Sequence, residues 1–414
     1  MNSINMDCYI LRNANIVTME DDSILYGYDL FVAQGRIWRI KKHIDISDVR
    51  EIDCTGKYLL PGLFDNHIHM DSNEITEMLI ACGVTTARNM WGLAETQQWR
   101  REIDAGLRPG PTIYSTGPLT DGVTYWNGSK IVKTPEQGHL AVMECFHQGY
   151  DWVKTYPSIP RDAFFEIMRT ANELGMKVIG HGNYNVSFRE LADCGYYSLE
   201  HISCLPKTSQ EEDIVYLAES GMWSCPTVVV AKTIEDYVHA GRPLSETPHY
   251  DAMNPYWHRD WENITQWRKS LHRYDNYDFE EELERERIFM KHSDRILLGS
   301  DVPNPGVTGG FSVAEELQNL MKYFGMTAYQ ALKCGSVNGA LCMGIADHVG
   351  MLKEGFDADI LVLTENPFVN VSCVADFELV IKGGCVHDRA WCNDLLKTVR
   401  ERPRTEIIPL MPEQ

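Results

Sequence analysis

Between residues 59 and 347 the sequence alternates short β-branched apolar runs with amphipathic stretches, and this rhythm constrains the fold more than any other feature. The predicted strands are 59–69, 84–89, 112–116, 152–156, 177–181, 198–201, 223–230 and 295–301. Predicted helices between them include 75–82, 136–147, 163–174 and 212–220, several of which end at a glycine. Eight βα units in series predict an α/β fold, a (β/α)8 TIM barrel with its chemistry at the carboxyl ends of the strands.

Both ends of the chain depart from this rhythm. Short strand patterns occur near each end, at 9–11, 15–19, 30–32, 37–40, 359–363 and 379–381. We therefore expect residues 1–58 and 350–414 to form one small β-sandwich subdomain, and residues 59–349 to form the barrel.

The segment 231–290 interrupts the βα rhythm and is rich in Tyr, Trp and His. It is too long for a simple connection, and long insertions of this kind often serve as lids or binding loops. The alternative is an added helical pair packed on the barrel rim, at an oligomer contact.

The composition of the chain indicates which partners and which cellular compartment to expect. The chain has 414 residues, with 38 Lys and Arg against 59 Asp and Glu, so its net charge of −21 argues against a nucleic-acid partner. No apolar run approaches the roughly 18 residues of a membrane helix, and the first residues lack the pattern of a secretory signal. The 12 cysteines form no CxxC pair, as in a reduced protein. We expect a cytoplasmic protein with a small-molecule substrate and no membrane partner, in which assembly into a homo-oligomer is an open alternative.

The most specific local motif is an apolar strand that ends in His67-Ile68-His69, after Pro61-Gly62. The two-residue period of a strand places both imidazoles on one side, facing the mouth of the barrel. Neutral imidazole is the commonest metal ligand, and two on one strand face make half of a zinc site.

Three later predicted strands also end in metal-ligand residue types: His181, His201 and Asp301. Each alone is more often a hydrogen-bonded structural residue. Because all of them end strands of one parallel barrel, we expect them to converge on the same mouth as the first two histidines.

Lys154 lies in the fourth predicted strand, 152–156. An ammonium there points into the ligand cluster, where a cation beside a metal is unfavourable. Carbon dioxide converts the amine to a carbamate anion that can bridge two metals, once metal and burial have lowered the amine pKa. The alternative is a lysine that forms a salt bridge with a carboxylate of the cluster.

These residues lie in motifs distributed over nearly the whole chain. The motifs include PGLFDNHIH at 61–69, GVTTARNM at 83–90, DWVKTY at 151–156, VIGHG at 178–182, SLEH at 198–201 and LLGSD at 297–301. Together they resemble the metal-dependent amidohydrolase superfamily, and within it the imidazolonepropionase-like and Xaa-Pro dipeptidase-like branch.

The resemblance implies a hydrolase with two divalent metal ions, usually zinc. The implied ligands are His67, His69 and Asp301 for one metal and His181 and His201 for the other, with carboxylated Lys154 as the bridge. It also implies the small β-subdomain expected from the two chain ends.

With two metals in place, we expect a shared hydroxide to attack the carbonyl of a small amide, because bound metals lower the pKa of water to about 7. Asp301 would accept the proton and pass it to the leaving group. The leading substrate hypothesis is a dipeptide, an N-acyl amino acid or a cyclic amide. The same site could instead serve a lactone or phosphotriester hydrolase or a lyase, and a non-catalytic scaffold is the third hypothesis.

Substrate contacts are expected from the loops after the strands. The candidates are Arg88, Tyr125, Trp126, Tyr156, Asn183, Tyr184 and His258. Arg88 could pair with a substrate carboxylate, although an arginine at a strand end is as readily structural.

Overall fold

The computed structural model describes residues 8–124, 126–272 and 274–403. Its strands are β1 (Tyr9–Val17), β2 (Ile24–Ala33), β3 (Arg36–Lys41), β4 (Arg50–Asp53), β5 (Tyr58–Pro61), β6 (Leu63–Ile68), β7 (Val84–Asn89), β8 (Thr112–Ser115), β9 (Thr120–Asp121), β10 (Lys130–Ile131), β11 (Trp152–Thr155), β12 (Lys177–Gly180), β13 (Ser198–Glu200), β14 (Trp223–Cys225), β15 (Ile360–Leu363), β16 (Leu379–Lys382) and β17 (Cys385–Asp388).

The helices alternate with the central strands and continue after them. They are α1 (Asn73–Ala81), α2 (Ala94–Asp104), α3 (Pro135–His147), α4 (Arg161–Leu174), α5 (Phe188–Asp193), α6 (Glu211–Glu219), α7 (Val228–Thr233), α8 (Pro255–Ser270), α9 (Phe279–His292), α10 (Phe311–Phe324), α11 (Ala328–Cys334), α12 (Val337–Met343) and α13 (Arg389–Glu401). Among the described residues, no helix combines the length and apolarity needed to cross a bilayer.

The central strands pair in parallel, which confirms the predicted α/β class. One parallel sheet has the order β6-β7-β8, and another has the order β10-β9-β11-β12-β13-β14. Single parallel bridges continue the pairing between these sheets, for example from Thr116 to Trp152. Because parallel strands run in one direction, the residues that follow β6, β11, β12 and β13 all lie at the same edge.

Strands from the two ends of the chain share one sheet. Its order is β17-β16-β15-β5-β1-β2-β3, and β4 pairs with β1. β15 pairs antiparallel with β5, so that Leu361 lies opposite Leu60. The leucines of β5 and all four side chains of β15 are fully buried, which ties the C-terminal tail to the start of the central strands.

The predicted strand at 223–230 is shorter in the structure. β14 ends at Cys225, and the three valines at 228–230 lie in α7. Thr227 turns the chain with a φ of 45°, and the Glu316 carboxylate accepts the N–H groups of the first two valines at 2.7 Å each. Those contacts satisfy free amides of the helix N-terminus, so tertiary contacts override the strand preference of valine.

The predicted strand at 295–301 forms isolated bridges instead of a regular ladder. The bridges join Ser224 to Ile296 and Ile68 to Val302, both in parallel. Asp301 has a φ of 64°, a left-handed conformation that interrupts a strand. Its N–H donates to the His67 carbonyl at 2.6 Å, which holds this segment beside β6.

The insertion at 231–290 is largely helical and is bonded to the loops after the strands. Trp257 and Trp261 of α8 are fully buried. The Trp257 indole donates to Asp71 Oδ2 at 2.8 Å, and the Trp261 indole donates to the Pro303 carbonyl at 2.7 Å. These bonds hold α8 above the end of β6 and the loop after Asp301.

The C-terminal tail contains a helix, α13, where the sequence analysis expected only strands. Its apolar positions include the buried Cys392 and Val399, which recur at helical spacing and were the available signal. Asn254, before α8, donates to backbone carbonyls at Val399 and Arg402 at 3.1 and 2.8 Å. The tail is thereby joined to the insertion.

Leu361→Ala should lower the free energy of unfolding by about 2–5 kcal/mol, since it opens a cavity at a fully buried position. Val369→Ala is the control, because Val369 is 84% exposed and its loss should change stability by less than about 0.5 kcal/mol. Denaturant unfolding checks both variants. A Leu361→Ala midpoint equal to that of the wild type would contradict the described sheet.

Candidate metal centre and active site

The first part of the site is built at the end of β6. His67 is fully buried, and its Nε2 lies 3.4 Å from Asp301 Oδ1. His69 Nε2 lies 3.0 Å from the same oxygen. One ligand atom from each of these three residues lies within 4.8 Å of the other two, which is a spacing suited to a metal ion.

The second part is formed by His181 after β12 and His201 after β13. Their Nε2 atoms lie 3.1 Å apart, and His201 Nδ1 lies 2.7 Å from the Thr227 hydroxyl. Burial lowers the pKa of His201 to about 4, so its imidazole is neutral near pH 7. Neutral imidazole is the form that binds a metal, and the threonine contact orients the ring.

Lys154 lies on β11, close enough to His67 and His201 for its charge to affect the pKa of both imidazoles. The side chain is fully buried, and within the described residues its Nζ has no hydrogen-bond partner. Burial lowers the amine pKa, although Glu200 and Asp301 act in the opposite direction. The Nζ of Lys154 lies 5.7 Å from the centre of the Tyr156 ring. A buried amine without a hydrogen bond is nevertheless costly, and an anionic group bound to it would offset that cost.

These residues fit two divalent cations. Like the lysine amine, the His67 Nε2 atom is buried and, in the described part of the chain, lacks a hydrogen bond. The donor set of imidazoles and a carboxylate is the set that zinc prefers. A carbamate on Lys154 would complete this set with an anionic oxygen donor.

Asp301 is the carboxylate shared by both parts of the site. Asn304 Nδ2 donates to its Oδ2 at 2.5 Å, while its Oδ1 faces His67 and His69. Burial raises the pKa of Asp301, but the nearby His201, His69 and Lys154 outweigh burial, so the net pKa is lowered. The group is therefore an ionised carboxylate able to accept a proton.

A buried ion pair beneath the site was missed by the sequence analysis. Glu200 accepts from Arg88 Nη2 at 3.0 and 2.9 Å and lies 2.9 Å from His67 Nδ1. Ser198 also donates to Glu200 at 2.7 Å. A carboxylate in a fully buried strand needs a cation, and that requirement was the available signal in SLEH. The pair fixes the His67 ring so that its Nε2 faces Asp301.

The structure places Arg88 away from the predicted substrate contact. Its guanidinium is only 1% exposed, pairs with Glu200, and donates from Nε to the Asn66 carbonyl at 2.6 Å. It does not line the cavity over the site. Arg88 lies on the predicted strand, β7, but its side chain points toward Glu200 and not toward the cavity.

A second group of ligand types, His67, Glu200 and Cys225, also lies within 4.8 Å. Burial raises the pKa of the Cys225 thiol well above its ordinary value. Arg88 already neutralises Glu200. A neutral thiol and a paired carboxylate are poor metal ligands, so this group is better explained as support for His67.

A cavity of about 580 Å³ opens over the metal residues. His69, His181, His201 and Asp301 lie in its wall, as do the predicted substrate contacts Trp126, Tyr156, Asn183 and Tyr184. His258 does not line it, because its Nε2 faces the Tyr250 carbonyl at 2.9 Å and its ring stacks on Tyr250. Tyr125 lies outside the described residues.

The chain is similar to known proteins in both sequence and fold. The model of the amidohydrolase family matches residues 58–387. Dihydroorotase from Carboxydothermus hydrogenoformans is 42% identical over 60 residues, which is 14% of this chain and 14% of that enzyme. Imidazolonepropionase from Vibrio cholerae is 42% identical over 72 residues, 16% of this chain and 17% of that enzyme. The alignments thus span under a fifth of these curated relatives.

The fold is shared over a much longer range. The crystal structure of a Xaa-Pro dipeptidase with bound methionine in its active site matches with a TM-score of 0.74. The match covers 92% of this chain and 100% of the dipeptidase, at 19% sequence identity. Identity this low establishes the shared fold only.

Glu200→Gln should lower the free energy of unfolding by about 3–5 kcal/mol, because it leaves the Arg88 guanidinium buried without a counter-charge. The double variant with Arg88→Met should recover part of this loss. Glu173→Gln is the control, since the Arg169–Glu173 pair is 52% and 59% exposed and should contribute less than about 1 kcal/mol. Equal effects of the two glutamine variants in denaturant unfolding would contradict the buried pair.

Proposed function

The chain belongs to the amidohydrolase family, and from that premise we propose that it is a metal-dependent hydrolase of amide C–N bonds. The substrates we consider are a dipeptide, an N-acyl amino acid or a cyclic amide. The observation that carries the proposal is that histidines after β6, β12 and β13, the lysine of β11 and Asp301 lie close together beside one cavity. Xaa-Pro dipeptidase, which shares the fold, is by its name an enzyme for a dipeptide.

Two divalent ions, with zinc as the expected metal, would be held at this site. The proposed ligands are His67, His69 and Asp301 for one ion and His181 and His201 for the other, with carboxylated Lys154 between them. When bound, such ions lower the pKa of water to about 7 and polarise a carbonyl oxygen.

Side chains of the protein transfer the proton. Asp301 accepts the proton of the attacking water at Oδ1, the oxygen that faces the histidines, and returns it to the leaving nitrogen. Asn304 holds Oδ2 by donating to it, which fixes the orientation of the carboxylate. Glu200 contacts Nδ1 of His67, and Thr227 contacts Nδ1 of His201. These contacts orient the two imidazole rings.

The proposal also includes the closure of the barrel and the division of the chain into domains. We infer that the parallel strands close into a (β/α)8 barrel, which the bridges on both sides of segment 295–301 support. Residues 1–58 and 350–414 would form the β-sandwich subdomain, which the shared sheet of both ends supports. The barrel would span 59–349 and present the cavity at its carboxyl end.

Removal of metal should abolish amide hydrolysis. Dialysis against a chelator should lower turnover by at least about 100-fold, because an unactivated water replaces a metal-bound one. Zinc added afterwards should restore the rate. Turnover by protein that elemental analysis shows to be metal-free would contradict the proposal.

Asp301→Asn should lower kcat by at least about 100-fold, since an amide cannot accept the proton. Asp251→Asn is the control, because Asp251 is an exposed carboxylate of the insertion at 231–290. Hydrolysis rates on the best amide of a substrate panel check both variants. An Asp301→Asn enzyme with the wild-type rate would exclude this residue as the base.

A further inference from the structure

Arg268 of α8 carries the only guanidinium or ammonium group among the described residues that line the cavity. It is 8% exposed. Its Nη2 donates to Asn304 Oδ1 at 2.5 Å, and Asn304 in turn donates to Asp301 Oδ2 at 2.5 Å. The insertion therefore brings one cation to the edge of the site, separated from the proposed base by a single amide.

Among the described residues Arg268 has no direct acidic partner, although Asp121, Glu282 and Asp301 line the same cavity. Within the described ranges it forms no ion pair, and its partner Asn304 is neutral. A guanidinium has five N–H donors, of which the contact with Asn304 uses one. A buried cation without a counter-charge is costly, and a planar donor fork matches a carboxylate. The site is thus prepared for an anionic group.

One part of the cavity wall is apolar, while Asp121, Glu282 and several hydroxyl and amide side chains line the rest. Trp126 and Trp267 meet edge to face with ring centroids 6.0 Å apart, and Ile264, Val230 and Leu205 line the wall with them. At about 580 Å³ the cavity has the size that suits drug-sized ligands. Both features favour a large aromatic or branched group next to the metal residues.

We propose that the substrate is an N-acyl amino acid with a bulky apolar acyl group, whose carboxylate binds Arg268. The inference rests on the proposed function and names its substrate class. In the reaction, the oxygen of water bonds to the acyl carbon, the C–N bond breaks, and one water proton goes to nitrogen. The products are a carboxylic acid and an amino acid. Arg268 takes the anchoring role that the sequence analysis gave to Arg88.

Binding of a ligand that cannot be hydrolysed tests the anchor. The probes are N-(naphthalene-2-sulfonyl)-L-phenylalanine and its C-terminal carboxamide, titrated calorimetrically into zinc-loaded protein. The carboxylate should bind at least about tenfold tighter than the carboxamide, as expected for a charge-assisted hydrogen bond. A wild-type protein without this preference would overturn the proposal.

Variants of Arg268 test whether this residue causes the preference for the carboxylate. Arg268→Gln should reduce it to less than about threefold while carboxamide affinity stays within about threefold, because only the charge-assisted contact is lost. Arg268→Lys keeps the charge and should retain part of the preference, which decides the question if the glutamine variant does not fold. Arg259→Gln, on the exposed face of the same helix with a side chain 67% exposed, should leave the preference unchanged.

Other outcomes separate this inference from its alternatives. If Arg268→Gln weakens both probes equally, the arginine only positions Asn304 and the anchor is wrong. If the preference survives in Arg268→Gln, another group binds the carboxylate. N-(methanesulfonyl)-L-phenylalanine should bind at least about tenfold more weakly than the naphthalene probe, and equal binding would exclude the apolar wall as the acyl site.

Hydrolysis is measured in parallel with N-(2-naphthoyl)-L-phenylalanine and a panel of other amides. A carboxylate preference that depends on Arg268 supports the anchor whatever the rates are. If the protein hydrolyses none of the amides, that result contradicts the proposed function but not the carboxylate anchor. Hydrolysis of other amides without a carboxylate preference would contradict only the present inference.

Discussion

The site depends on the charge state of one buried lysine. Lys154 is fully enclosed beside His67, His201 and Asp301, and among the described residues no atom accepts a hydrogen bond from its amine. An ammonium in this position would repel any cation that the imidazoles bind. A neutral amine would remove this repulsion, and the proposed carbamate would in addition supply an anionic ligand.

The metal residues are held from two sides. Below them, the buried Arg88–Glu200 pair fixes His67. Above them, α8 bonds to the loop after Asp301 through Trp261 and through the chain from Arg268 to Asn304. Ligands fixed in this way need little reorganisation when metal or substrate binds, which is a requirement for efficient catalysis. The insertion therefore lines the cavity above these residues.

The sequence predicted the parts of the molecule that follow from periodicity. Strand alternation placed His67, His181 and His201 at the ends of parallel strands, and the structure brings them together. It could not give side-chain direction beyond the strand, so a substrate contact and a structural role both stayed open for Arg88, and the structure pairs Arg88 with Glu200. Arg268 was missed for a different reason. It lies on a helix whose packing is set by buried tryptophans and a distant carbonyl, and no local pattern records those contacts.

Anomalous diffraction at the zinc edge, from crystals grown with zinc and bicarbonate, tests the central claim most directly. The account predicts two peaks, one beside His67, His69 and Asp301 and one beside His181 and His201, with electron density for a carboxyl group extending from Lys154 Nζ between them. A map without metal at these residues, or with the lysine amine bonded to an acidic side chain, would contradict it.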